Sequence, residues 1–192
     1  MKKKTHSKKA IPLIKSQQKC LTKFGGWPNL PESIEWPVSV DGGELDFLAQ
    51  IHFPEINAKT KLPTTGTLFV FYSNSENWKI IYTEEVLPEA ARAPEKKDNT
   101  PFLYRESFRK FKTLSSKQCN SAPYHQMLGE PYCIQGNNMY PGHELLLQLD
   151  SDWRIDGPGW IWGDAGIIYF FIKPADLNAK RFEKIKAVFE CC

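Results

Sequence analysis

Apolar positions along the chain come in short runs, broken by Gly- and Pro-rich stretches, and their period is that of strands. "LDFLAQIHF" (45–53) alternates, with Phe47, Ala49 and Ile51 on one face and Leu48, Gln50 and His52 on the other. "GTLFVFYS" (66–73) is apolar on both faces, the mark of a covered central strand. "NSEN" (74–77) supplies turn residues, and "WKIIYTE" (78–84) returns as a partner strand. "ELLLQLDSD" (144–152) opens another strand, with Leu145, Leu147 and Leu149 on one face. "IIYFFI" (167–172) is the most apolar run, and "KIKAVFEC" (184–191) closes the chain as a last strand. Between them "KPADLNAK" carries Pro174 where a helix starts and Asp176 in its first turn, predicting a short helix. "FLYRESFRKFKTL" (102–114) fits either period. Residues 24–43 and 115–142 read as loop, with one helical turn expected in "APYHQMLG". The expected fold is α+β, mostly antiparallel sheet with a few short helices.

Two segments echo each other. "FLAQI" followed by "GTLFVFY" is matched by "LLLQL" followed by "GIIYFFI", at offsets of about half the chain. Two β-rich pseudo-repeats packed as one domain over residues 21–192 are the economical reading, with halves at 21–115 and 120–192. Each copy sets a Gln in an apolar strand, and a buried amide must satisfy up to four hydrogen bonds. One solution ties each Gln to a neighbouring loop's backbone. The other brings Gln50, His52, Gln148 and Asp150 together in a crevice between the halves.

Charge divides the chain unevenly. Eight lysines precede the first acid, Glu32, which leaves 17 basic against 22 acidic residues, a body of about −5. Residues 1–20 are therefore read as a basic, flexible head and the rest as a poor match for nucleic acid. No run approaches the ~18 apolar residues of a membrane helix, and "AIPLI" is too short for an export signal, so no membrane partner and a cytoplasmic location are expected. Five Cys without C-x-x-C spacing suit reduced thiols.

Candidate chemistry gathers in "DSDWRIDGPGWIWGD" (150–164). Asp150, Asp152, Asp156 and Asp164 are oxygen ligands for a hard cation, or turn formers that bond their own backbone. Cys119, His125, Cys133 and His143 are zinc-capable types at spacings that fit no closed pattern. Neither set carries a metal assignment, and no cofactor is expected. Phosphate-loop and serine-elbow motifs are missing. Trp153 and Trp162 either fold back over a sheet end or, exposed, anchor a partner. "GDAG" (163–166) reads as a turn feeding the buried run 167–172, with Asp164 on the rim of any pocket.

"KFGGWPNLP", "WPVSVDGGELDFLAQIHFPEI", "HQMLGEPYCIQGN" and "LLLQLDSDW…IWGDAGIIYFFIKPADL" together resemble the YwqG-like family, a bacterial domain of unknown function, over about residues 23–191. The resemblance implies a mostly antiparallel α+β fold and no established activity. It points to an immunity-type module that occludes a toxin-like protein partner. On the residues, the expected surface is Gln50, His52, Gln148, Asp150, Asp152, Trp153, Trp162 and Asp164, with catalytic residues unassigned. The competing expectations are a metal-assisted enzyme on Asp150, Asp152 and Asp164 with His52 or His143, and a small-molecule binder between the halves.

Overall fold

Apolar residues on both faces of successive short runs require a sheet covered on both sides, and that is what forms. The computed structural model describes residues 9–74, 77–94, 104–112, 124–136, 140–152 and 161–191. Its strands are β1 (Ile11–Lys15), β2 (Lys23–Phe24), β3 (Asp46–His52), β4 (Thr67–Tyr72), β5 (Trp78–Thr83), β6 (Ser107–Phe111), β7 (Gln126–Met127), β8 (Glu144–Asp150), β9 (Ile167–Ile172) and β10 (Lys186–Glu190). One helix, α1 (Pro174–Asn178), starts on Pro174 as its sequence predicts. The strands form one curled, half-barrel sheet in the order β10-β9-β8-β7-β1-β6-β2-β3-β4-β5, every pairing antiparallel.

Three expectations are corrected. Residues 11–15, assigned to a flexible head, are the central strand: β1 pairs with β6 on one side and β7 on the other. Pro12 is tolerated there because its carbonyl still accepts from Lys112 N–H at 3.0 Å, while its missing N–H points to the same side, just past Phe111 where β6 ends. The turn expected in "APYHQMLG" is instead β7, held between β1 and β8. Simple alternation also fails within β3 and β8. The register shifts between Phe47 and Ala49, and likewise between Leu145 and Leu147. Each bulge turns the residue before it to the opposite face. Phe47 and Leu145 thus leave the face of Ile51 and Leu149.

One face of the sheet carries a core drawn from its whole width, including Leu13, Phe24, Leu68, Leu146, Phe170 and Phe182. The other face carries two separate clusters, one around Phe47, Phe69 and Phe71, the other around Leu145, Tyr169 and Phe171. Curling brings the sheet's ends together over the shared core. Phe182, in the single turn after α1, lies 4.6 Å from the Tyr82 ring of edge strand β5 and stacks on Phe53 at 6.0 Å. Among the described residues no helix is long and apolar enough to cross a membrane.

Candidate functional site

The two glutamines do not share a crevice. Gln50 on β3 and Gln148 on β8 are separated by β2, β6, β1 and β7. Each lies under its own loop on the face away from the shared core, opposite Phe69 and Tyr169 respectively. Gln50 Oε1 accepts from Asn29 N–H at 2.8 Å and its Nε2 donates to Leu21 O at 2.9 Å. Gln148 repeats this with Tyr132 N–H at 2.9 Å and Tyr124 O at 2.7 Å. Their amides close loops onto the sheet, which accounts for polar groups with no exposed surface.

The acidic residues separate as well. Asp150 Oδ2 accepts from Tyr124 N–H at 2.7 Å. Asp152 accepts from Arg109 Nη2 at 3.2 Å and from His125 Nε2 at 3.3 Å. His125 Nδ1 accepts Asp150 N–H at 3.1 Å, which fixes the ring proton on Nε2. The Arg109 guanidinium sits 4.4 Å above the Phe24 ring, and Phe24 meets His125 edge-on at 4.9 Å. Burial alone would raise the Asp152 carboxyl; His125 and then Arg109 outweigh it and hold it at about 2. The cluster is enclosed, with His125 at 2% exposure and Asp152 at 5%. It fastens β6, β7 and the end of β8 rather than facing a substrate.

Asp164 is exposed in the turn 163–165. That turn is closed by Ser151, whose Oγ donates to Gly166 O at 2.8 Å and accepts from Trp162 N–H at 2.9 Å. A side chain on Gly166 would strike the Glu190 carbonyl, so the entry into β9 admits only glycine. Trp162 folds back into the core and meets Tyr72 edge-on at 5.2 Å. Trp153, Asp156 and Cys119 lie outside the described residues. His52 is partly buried, with Nδ1 2.8 Å from Thr67 Oγ1; burial lowers its basicity against a smaller opposing pull from Glu55. His143 Nδ1 lies 3.1 Å from Pro141 O, and its ring meets Tyr140 at 5.6 Å. Among the described residues no three His, Cys, Asp or Glu side chains form a metal-capable group.

Open space lies elsewhere. A cleft of about 440 Å³ runs between the loop 58–61, which follows β3, and the start of β8. Ile11 and Leu128 give it apolar walls, with Ala58 at the rim; Lys9, Lys59 and Lys61 supply cations. Glu144, 3% exposed, lines it and is ion-paired with Lys61. Sequence reasoning missed this site because lysines in a polar loop read as solvated. The available signal was Glu144, an acid leading the run "ELLLQL" into the interior. A family model described as a domain of unknown function (DUF1963) matches residues 22–191. No curated protein matches the chain.

Proposed function

The chain belongs to the DUF1963 family, a domain of unknown function, and for this member we propose a ligand-binding module that works through the cleft between the loop 58–61 and β8. The single observation that carries this is a concave space of about 440 Å³ with apolar walls and a few convergent charged groups. Small-molecule sites typically occupy about 300–1,000 Å³ and share that make-up. Reading the halves as pseudo-repeats supports the location. β3 with β4 and β8 with β9 pair in corresponding registers, including the bulge, and the cleft falls where a loop of one half crosses onto the other. A toxin-like protein partner was expected to dock on Trp153 and Trp162. Trp162 belongs to the core, so support for binding comes from the cleft instead.

The test is a fragment screen by amide-resolved NMR on the full chain. Hits are expected to shift Ala58–Lys61, Leu128 and Gly129. Ala58→Trp, placed at the half-buried rim, should abolish them by filling the space. Hits that ignore Ala58→Trp, or that map to another face, would remove the assignment.

A further inference from the structure

Within that cleft the geometry points to a ligand class: a small amphiphilic anion, a carboxylate or phosphate monoester on an apolar body. This rests on the cleft being the binding site and adds what selects its occupant. Three lysines, Lys9, Lys59 and Lys61, face one carboxylate, Glu144, so the lining carries a positive excess. Lys9 and Lys59 are exposed, which leaves their ammonium groups hydrated and reachable from solvent. Glu144 is seated in the interior and already engages Lys61. A buried carboxylate in the wall disfavours an entering anion only weakly while its own charge is met by Lys61, and it anchors that lysine at the cleft. The lysines then offer charge-assisted donors to an anionic head.

Behind the charges the wall is hydrocarbon from Ile11 and Leu128, with Ala58 at the rim. A bare inorganic anion would leave that surface wet. At about 30 Å³ per water, the space equals roughly fifteen waters, enough for a head group and a short chain or ring but not for a bilayer-sized lipid. Burying an apolar chain against that wall adds to the attraction of the head, so body and head both contribute. Charge chooses the head, and the aliphatic wall chooses the body.

The experiment titrates the full chain by amide-resolved NMR with four probes of one chain length, below micelle formation: decanoate, decyl phosphate, decanol and decyltrimethylammonium. Decanoate or decyl phosphate should shift Ala58–Lys61 and Leu128, and the tighter of the two names the head group. Decanol should bind at least tenfold more weakly, and decyltrimethylammonium should leave the cleft unmoved. Lys9→Glu with Lys59→Glu, both at exposed positions, should weaken the anion at least tenfold. Lys61→Gln is the harsher change, because it leaves Glu144 without that partner; Lys59→Gln is the mild control. Raising salt should weaken the anions and spare decanol. Equal affinity for decanol and the anions, unchanged in the lysine variants, would overturn the inference while leaving the cleft as a binding site. Anions that shift no cleft amide would also overturn it, and the fragment screen then decides the cleft separately.

Discussion

Asp152 shows how one side chain can be stabilising because of where its partners sit. Its carboxylate accepts from Arg109 and His125 inside the protein, and its pKa is held at about 2. The folded value lies below the ordinary carboxyl range near 3.9, so its contribution is complete above about pH 4 and is lost as pH falls through about 2. At pH 7 Asp152→Asn should cost about 2–3 kcal/mol, measured by urea unfolding. The gap between wild type and variant should close between pH 4 and 2; a gap that is constant over that range would rule the ion cluster out as the source. Single residues were partly legible. Gln50 and Gln148 announce a need for partners from sequence alone. Which carbonyl and amide meet that need is set by loops packed 16 to 29 residues away along the chain. Arg109 gave no signal, since its partners are assembled from β7 and the end of β8.

Long strands were legible as elements and short ones were not. β9 coincides with its apolar run, and β3, β4, β5 and β8 lie within a residue or two of their patterns. β2 and β7 have two residues each, too few to hold a period, and exist because neighbours on both sides present hydrogen-bonding edges. β1 was hidden by Pro12 and by flanking lysines that read as a solvated tail. It also lies outside the family match, which begins at residue 22, although it sits at the centre of the sheet. Deleting residues 1–21 should therefore expose the facing edges of β6 and β7 and abolish cooperative thermal unfolding. Leu13→Ala, a milder version, should cost about 2–4 kcal/mol. A truncated chain that melts at the wild-type temperature would show that β1 is dispensable.

Across the whole molecule, curvature is what makes one core from a wide sheet. Most large apolar side chains turn inward; among the described residues Val38 and Val40 are exposed two apart on one loop, and Val86 and Ile161 are exposed far from them in sequence. Phe182 joins the two ends by stacking on Phe53 and meeting Tyr82. Phe182→Ala should cost about 3–5 kcal/mol and should speed amide exchange in β5 more than in β8. Equal acceleration in both strands would mean that the closure does not depend on this contact. The fold class was readable because period-two patterns dominate; the strand order was not, since it depends on pairings between segments remote in sequence.

The placement of β1 also fixes a chronology. Residues 11–15 leave the ribosome well ahead of the strands that flank them, at 107–111 and 126–127, which are made about a hundred residues later. At about 5–20 residues per second, that first strand waits several seconds without its neighbours. The lysines around it keep the waiting segment hydrated, and the finished sheet encloses it at its midline.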